Sequence, residues 1–377
     1  MEPPVPQKKT GNVEQVSALD DQPGQGAASS DNLLSVAEQE LSDRVERNLV
    51  LIEEGLRNDV SFTSPVADAT ARYLLDAGGK RVRPRLTLLA AELGDGVNDQ
   101  VLAAARAIEI THLASLYHDD VMDEAMLRRG ITSAHMAWSN NVAILAGDLL
   151  FARASKLIST LGARAIELQA DTFERLCLGQ LHETVGPAAG EDPIEHYLTV
   201  LADKTGSLIS LSAQMGVVFS NAPSEFEQPV VDYGNKLGVA FQLIDDVIDL
   251  SPAVDETGKR AGTDLRAGVV TLPLLLLRKS AETNAADAEL LACIDAEVQK
   301  AIAAEEIAAL GGVIEDQNDE DFDAVVTALR EHEVTRETER VAERWGNEAI
   351  AALDQLPEGQ IKDSLVKLAD TIIHRTH

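Results

Sequence analysis

The sequence has little cysteine, little positive charge, few aromatic residues and no long hydrophobic run, and each shortage excludes a class of protein. Only two cysteines, Cys177 and Cys293, occur among 377 residues, which excludes a disulfide framework and a cysteine-rich zinc site. Lys and Arg number 32 against 63 Asp and Glu, which disfavours binding to nucleic acid or anionic membranes because both are polyanions. The longest apolar run, Val269 to Leu277, contains Pro273 and is far shorter than the roughly 20 residues of a membrane span. We therefore expect a cytoplasmic protein without a transmembrane segment or a nucleic-acid partner.

What the sequence does contain is a strongly helical composition. Ala, Leu, Glu and Arg dominate residues 33–377, and the period-2 alternation of a half-buried strand is hard to find there. Hydrophobic residues make up 45% of the chain but aromatic residues only 3%, so we expect an aliphatic core. We predict one large all-α helical bundle over residues 33–377, preceded by a disordered tail over residues 1–32 that is rich in Pro, Gln, Gly and Ser. We interpret the acidic stretch 314–323 as a solvated loop.

One short motif, Asp-Asp-x-x-Asp, occurs twice, as Asp119–Asp123 and as Asp245–Asp249. On a helix the first and last carboxylates of such a motif lie on one face, about one turn apart. Apolar residues precede both motifs, so we expect mostly buried helices whose carboxylates face a cavity or a partner; the alternative is a solvated helix face. Two pairs on facing helices would supply hard oxygen ligands, but too few to complete a Mg²⁺ shell, leaving positions for water and phosphate oxygens. The motifs therefore indicate a metal–diphosphate site with Asp119, Asp123, Asp245 and Asp249 as ligands.

Positive charge is concentrated in two places. One directly follows a glycine turn, and the other follows the first aspartate motif. Gly78-Gly79 precedes Lys80–Arg85, in which four of six residues are cationic, and Arg128-Arg129 follow the first aspartate motif. Arg suits bidentate phosphate recognition and Lys acts as a point charge. By itself such a cluster is also compatible with a solvated surface, but together with the aspartate motifs it indicates diphosphate binding.

These residues belong to six segments whose order and spacing resemble the trans-isoprenyl diphosphate synthases, also called polyprenyl synthetases. The segments are GGKRVRP (78–84), HLASLYHDDVMDEAMLRRG (112–130), GDLLFARA (147–154), DKTGSL (203–208), GVAFQLIDDVIDL (238–250) and GKRAGTDLRAGVVTLP (258–273). The resemblance extends from about Leu33 to the C-terminus. It implies the helical bundle of the isoprenoid synthases with a central active-site cavity, Mg²⁺ as cofactor and a homodimer. One departure is Val269, which stands where the family often has a basic residue.

The resemblance also implies roles for individual residues. The isopentenyl diphosphate site would consist of Lys80, Arg83, His112 and Arg129. Direct contacts to the allylic diphosphate would come from Arg128, Lys204, Thr205, Gln242 and Lys259, and the catalytic set would be Asp119, Asp123, Lys204 and Asp245. His112 lies seven residues before Asp119 and so on the same helix face, which agrees with its implied role; the alternative is an ordinary core histidine.

The implied activity is a Mg²⁺-dependent condensation of isopentenyl diphosphate with an allylic diphosphate to an all-trans polyprenyl diphosphate, without a protein nucleophile. A terpene cyclase is an alternative, but it takes only one diphosphate and the GGKRVRP cluster argues against it. A catalytically silent partner subunit is another alternative. Such a subunit would be expected to lack the aspartates, and both motifs are intact.

Product length is the remaining question. The resemblance implies that the growing chain descends beside the first aspartate helix and that a bulky aromatic residue four or five positions before the first Asp stops it. Here those positions are Ala114 and Ser115, both small, so we expect a long-chain product of the kind that supplies quinone side chains. A geranylgeranyl-length product is the alternative, as is the interpretation that small residues only allow close helix packing.

Overall fold

The computed structural model describes residues 30–251, 261–309 and 320–375. These residues are almost entirely helical, which confirms the predicted all-α class. The helices are α1 (Ser30–Asp59), α2 (Pro65–Asp76), α3 (Val82–Ala91), α4 (Asp99–Met122), α5 (Ala134–Ala137), α6 (Asn140–Thr160), α7 (Ala163–Val185), α8 (Pro193–Leu201), α9 (Ser207–Phe219), α10 (Glu227–Asp249), α11 (Thr263–Arg266), α12 (Leu272–Ala281), α13 (Ala285–Ala309), α14 (Glu320–Glu331), α15 (Glu333–Ala352) and α16 (Gln360–Ile373). A π-helical turn covers Ala202–Gly206, and short 3₁₀ segments cover Ser224–Phe226 and Leu353–Gln355.

Helix α4 is the central element of the bundle. It packs against α1, α3, α6 and α9, while α10 packs against α9 and α15. The start of α4 is fixed by Asn98, whose side-chain oxygen accepts hydrogen bonds from the backbone N–H groups of Gln100 and Val101 at 2.9 and 3.0 Å, an N-cap of the favoured kind. The amide of Asn98 also donates to the carbonyl of Phe219 at 2.8 Å, which ties the start of α4 to the end of α9.

The core is aliphatic, as the composition predicts. Leu, Ile, Val and Ala supply most of the buried side chains around α3, α4 and α9. Two buried tyrosines add polar anchors: the hydroxyl of Tyr117 on α4 donates to the carbonyl of Thr70, and that of Tyr233 on α10 donates to the carbonyl of Leu365 on α16 at 2.8 Å. Among the described helices, none combines the length and the apolar character needed to cross a bilayer.

The segment between α4 and α6 contains a β-hairpin that the sequence reading did not predict. Strands β1 (Leu127–Arg128) and β2 (Ile131–Thr132) pair antiparallel around the two-residue turn Arg129-Gly130. Both turn residues have positive φ, 54° and 76°, which is the geometry of a type I′ turn and favours glycine at the second position. The hairpin holds Arg129 at a tight bend directly after the first aspartate motif.

Two predictions about the polar segments need correction where the structure describes them. Residues 1–29 lie outside the described residues, but residues 30–32, predicted as part of the tail, already belong to α1. Within the acidic stretch, residues 314–319 are likewise outside, whereas residues 320–323 form the first turn of α14 rather than a solvated loop. The reason is Phe322, which is buried and packs against the guanidinium of Arg266, whose Cζ lies 4.0 Å from the ring centroid.

Candidate active site

Both aspartate motifs lie at the C-terminal ends of long helices, α4 and α10. The partial negative charge of a helix C-terminus disfavours carboxylates there by about 0.3–1 kcal/mol. Burial raises the pKa of Asp119 to about 6, an effect that the charge of Lys204 opposes and that of Asp123 increases. Carboxylates placed where the fold disfavours their charge are more consistent with cation binding than with a role in folding.

The middle aspartate of each motif has a different task from the outer ones. Asp120 is fully buried and accepts a hydrogen bond from Nε of Arg128 at 2.6 Å. Asp246 is also buried and accepts one from the hydroxyl of Tyr197 at 2.5 Å, and burial raises its pKa to about 7. Tyr197, on α8, was not found by sequence reasoning, because no motif connects it to Asp246. The middle carboxylates thus anchor each motif to a neighbouring side chain.

The π-helical turn brings Lys204 and Thr205 between the two motifs. Lys204 forms an ion pair with Glu183 on α7; burial by itself would lower the pKa of Lys204, but the neighbouring carboxylates of Glu183 and Asp119 raise it. The hydroxyl of Thr205 lies 3.4 Å from the side-chain oxygen of Gln242, which precedes the second motif on α10. π-Turns are frequent at functional sites. Thr205, which follows Lys204 directly, therefore lies close to Gln242 of α10.

Close backbone contact fixes this turn against α10. A Cβ atom at Gly238 would come within 2.4 Å of the Cα of Gly206, so a side chain at position 238 would push the turn away from α10. Gly206 of the DKTGSL segment and Gly238 of the GVAFQLIDDVIDL segment thus allow the π-helical turn to pack closely against α10.

A second group of cations surrounds His112 on α4. Burial lowers the pKa of His112 well below its ordinary value, and the charges of Arg83 and Arg129 lower it further, so the imidazole is neutral near pH 7. Burial also lowers the pKa of both guanidinium groups, which nevertheless stay protonated. Among the described residues, the buried Nε of Arg83 has no hydrogen-bond partner. A buried cation with an unused donor beside further cations is suited to hold an anion.

The other two arginines of the glycine-turn cluster pair with glutamates. Arg81 and Arg85 are engaged elsewhere: Arg81 pairs with Glu53 and with the buried Glu109 at 2.8 and 3.0 Å, and Arg85 pairs with Glu46 at 2.7 Å. The sequence does not separate these roles. Arg83 and Arg85, two residues apart, lie on nearly opposite sides of α3, whereas Arg81 precedes α3 in a left-handed conformation with a φ of 50°. Glu109 was missed by the sequence reading, although a lone carboxylate in an apolar helix is a signal that it needs a partner.

Three further predicted residues can be placed, and one cannot. Lys80 is exposed on the loop before α3. Asp249 accepts a hydrogen bond from the backbone N–H of Asp264 at 3.0 Å, and Asp245 forms an ion pair with Arg375. Lys259 lies outside the described residues.

The donor set fits a divalent cation that is completed by other ligands. Within the described part of the chain, no three His, Cys, Asp or Glu side chains converge closely enough to hold a metal alone. The outer aspartates offer only oxygen atoms as ligands. Lys204 lies at the first motif and Arg375 at the second, and each compensates negative charge of the aspartates that a bound metal ion would also compensate. Hard oxygen donors in small number are typical of Mg²⁺ sites that also use water and substrate phosphate.

The positions predicted to limit product length are both buried on α4. The face that carries Ala114 and His118 lies against α6, since a Cβ at Gly147 would come within 3.2 Å of the carbonyl oxygen of Ala114 and 2.4 Å of the His118 ring. Ser115 shares the face of Asp119, and its hydroxyl donates to the carbonyl of His112 at 2.9 Å. The small residue at position 114 thus permits close helix packing, whereas position 115 lies under the first aspartate.

A helical bundle with two aspartate-rich helix ends and two groups of cations defines an enzyme that handles diphosphate esters with a divalent metal. The chain belongs to the polyprenyl synthetase family, which matches residues 64–310. This confirms the resemblance inferred from the six segments, and with it the prenyltransferase class.

Individual relatives support the same assignment. The chain is 45% identical over 238 residues to a nonaprenyl diphosphate synthase of Mycobacterium tuberculosis, covering 63% of this chain and 71% of that protein. It is 30% identical over 352 residues to an octaprenyl diphosphate synthase of Haemophilus influenzae, covering 92% and 99%. A crystal structure of geranylgeranyl pyrophosphate synthase from Corynebacterium glutamicum, complexed with calcium and isoprenyl diphosphate, matches with a TM-score of 0.74 and 38% identity over 89% of this chain and 98% of that chain.

Proposed function

We propose that this protein condenses isopentenyl diphosphate with an allylic diphosphate in a Mg²⁺-dependent reaction, and that its product is a long-chain all-trans polyprenyl diphosphate of the kind that supplies quinone side chains. The observation that carries the proposal is the presence of two separate cationic groups. Lys204 lies beside Asp119 at the first motif, and Arg83 lies with Arg129 around His112. Two anion sites match two diphosphate substrates, whereas a terpene cyclase would need one.

The side chains have distinct tasks in this reaction. Asp119, Asp123, Asp245 and Asp249 would hold Mg²⁺, which when bound supplies Lewis-acid stabilisation of negative charge on the departing diphosphate. Lys204 would bind the same diphosphate directly, together with Arg128, Thr205, Gln242 and Lys259. Lys80, Arg83 and Arg129 would hold isopentenyl diphosphate, and the neutral His112 can donate one hydrogen bond to it. Holding both substrates at fixed positions makes their reaction effectively intramolecular.

The long product is supported by the relatives named nonaprenyl and octaprenyl diphosphate synthase and by the small Ser115 under the first aspartate. The decisive experiment incubates the purified protein with Mg²⁺, isopentenyl diphosphate and each of several allylic primers, and measures the chain length of the products. Products of about 40 carbons or more, as octaprenyl and nonaprenyl chains contain, support the proposal. Products that stop at geranylgeranyl length establish the alternative, and no condensation with any primer contradicts the activity itself.

The division between the two diphosphate sites can be tested by kinetics. Arg83→Ala is expected to raise the KM for isopentenyl diphosphate roughly 10- to 100-fold, the range for loss of a charged hydrogen bond, with little change for the allylic substrate. Arg128→Lys should show the opposite bias, since Lys keeps a charge beside Asp120 but loses the guanidinium geometry. Arg85→Ala is the matched control, because Arg85 lies on the same helix and pairs with Glu46. Equal changes in both KM values for Arg83→Ala would contradict the division of sites.

The homodimer and the cytoplasmic location are part of the proposal. Large apolar side chains are exposed on α6 and α7, among them Leu145 and Ile166 with 61% and 50% of their surface accessible, and exposed apolar side chains are the kind of surface that a protein partner covers. Leu145→Glu combined with Ile166→Glu is expected to convert the dimer to a monomer in light-scattering measurements. Val50→Glu is the control, since Val50 is exposed to a similar extent, 58%, on a different helix, α1. A wild-type protein that is already monomeric, or a double variant of unchanged mass, contradicts the expectation.

A further inference from the structure

The C-terminal end of the chain reaches the second aspartate motif. Arg375, two residues beyond α16, forms an ion pair with Asp245 Oδ1, and its guanidinium carbon lies 5.1 Å from the ring centroid of Phe241. Phe241 and Asp245 are four residues apart on α10 and therefore on one face. Both side chains of the ion pair are only partly accessible, 24% for Arg375 and 33% for Asp245. The guanidinium is thus held by two contacts with one face of α10.

Helix α16 is anchored independently of this ion pair. Tyr233 on α10 donates to the carbonyl of Leu365 at 2.8 Å, and Ile372 and Ile373 are buried. The side chain of Ile373 packs so closely on Gly346 of α15 that a Cβ there would lie 2.2 Å from the terminal carbon of the isoleucine. Arg375 follows this fixed helix by two residues, so its side chain can leave Asp245 without movement of the bundle.

Asp245 is also one of the carboxylates that would hold the divalent cation. A carboxylate oxygen in contact with a guanidinium is not fully available to a metal ion, because both cations compete for the same negative charge. The guanidinium and the metal ion therefore weaken each other's binding to Asp245 or exclude each other from it. Lys204 also lies near Asp119, but its ammonium forms its ion pair with Glu183 rather than with the aspartate.

We propose that Arg375 is a built-in counter-cation of the second aspartate motif, which occupies Asp245 in the substrate-free protein and is displaced when a divalent cation binds. This inference rests on the proposed function, since it takes Asp245 as a metal ligand. Binding of the metal then releases the end of the chain, and the substrate-free protein binds the metal more weakly than its carboxylates alone would allow. Arg375 is a positioning residue for Asp245 rather than a catalytic one.

The test is calorimetric titration of Mg²⁺ into the full-length, substrate-free protein. Arg375→Ala is expected to bind Mg²⁺ about fivefold more tightly than the wild type, the size expected for loss of a partly exposed ion pair with a cation–π contact. Arg375→Lys, which keeps the charge, should remain close to the wild type. Lys367→Ala is the matched control: it removes a cation from α16 that pairs with Glu38 at 2.8 Å, and it should leave Mg²⁺ affinity unchanged. Equal or weaker Mg²⁺ binding by Arg375→Ala overturns the inference.

Hydrogen exchange gives a second measurement that does not depend on activity. In the wild type, Mg²⁺ alone should accelerate exchange of the amide at residue 375, whose hydrogen bond to the carbonyl of Ile372 is 3.4 Å long, and in Arg375→Ala exchange at this position should be fast with or without Mg²⁺. Slower exchange of the wild type on Mg²⁺ addition would mean that the metal tightens the tail, which contradicts displacement.

Asp245→Asn separates failure of this inference from failure of the proposed function. If Asp245→Asn binds Mg²⁺ like the wild type, Asp245 is not a ligand and the assignment of the metal site is wrong. If Asp245→Asn weakens Mg²⁺ binding while Arg375→Ala does not strengthen it, only the role of Arg375 is wrong.

Discussion

Asp119→Asn is expected to lower kcat by roughly a thousandfold or more while making the protein more stable. The loss of activity follows because the amide cannot replace a charged oxygen ligand of the divalent cation, and stabilisation of the transition state by a metal ion amounts to several kcal/mol. Such a variant is isosteric, so the fold and the ion pair between Lys204 and Glu183 should be retained.

The gain in stability follows from the sign of the pKa change. The pKa of Asp119 is raised from 3.8 to about 6 in the folded protein, so the folded state binds the proton more tightly than the unfolded state. The free energy of unfolding therefore falls as the pH rises from about 4 through 6, and the penalty is fully present above pH 6. Allowing for partial exposure of Asp119, we expect Asp119→Asn to recover about 1–2 kcal/mol at pH 8 and nothing at pH 3.5.

Denaturant unfolding at pH 8 and pH 3.5, without divalent metal, measures this difference. Asp171→Asn is the control, because Asp171 is exposed on α7 and should change neither stability nor kcat. Full activity in Asp119→Asn would contradict the assignment of Asp119 as a ligand. Lower stability at pH 8 would show instead that the carboxylate contributes to folding.

Ser115→Phe is expected to change the product itself, from a long chain to one of geranylgeranyl length or shorter. Ser115 lies four residues before Asp119 and so about 6 Å below it on the same helix face. A phenyl ring there would fill the path beside the helix, where overpacking is costly and a growing chain end cannot pass. Consumption of isopentenyl diphosphate should continue, since the ring lies below the reacting groups, and chromatography of the dephosphorylated products measures the shift.

The structure distinguishes this position from its neighbour. Ala114→Tyr also places a ring near the path, but the face of α4 at Ala114 is packed closely against α6 near Gly147, so part of its effect should be loss of stability. Ser115→Ala is the control that keeps a small side chain, and its products should match those of the wild type. An unchanged chain-length profile in both Ser115→Phe and Ala114→Tyr would show that the product does not grow along this helix.

One further contact lies deeper on α4, at Thr111, which is four residues before Ser115 and so on the same helix face. The side-chain amide of Gln169 on α7 donates to the hydroxyl of Thr111 at 2.9 Å. Thr111 lies two turns below Asp119, and at this depth the hydrogen bond joins α4 to α7. A long product that grows along this face of α4 would pass beside this hydrogen bond or displace Gln169. Gln169 could not be found from the sequence, because nothing in the local pattern of α7 indicates which residue of α4 it meets.

The sequence by itself determined the helical class and the family, and it placed the outer aspartates of each motif on one helix face. These conclusions follow from composition, from the order of the motifs and from i,i+4 spacing. Each of these signals lies within a single helix or turn. The glycine turn at residues 78–79 was likewise readable as a boundary between helices, since glycine ends helices locally.

Only the tertiary structure decided which charged and polar side chains contact each other. It paired Asp120 with Arg128, Asp246 with Tyr197 and Asp245 with Arg375, and it separated Arg83 from Arg81 although both lie in one short motif. Partners that are far apart in sequence are brought together by packing of the helices, and no local pattern encodes that packing. The charge state and the availability of each site residue are therefore set by neighbours that the sequence does not name.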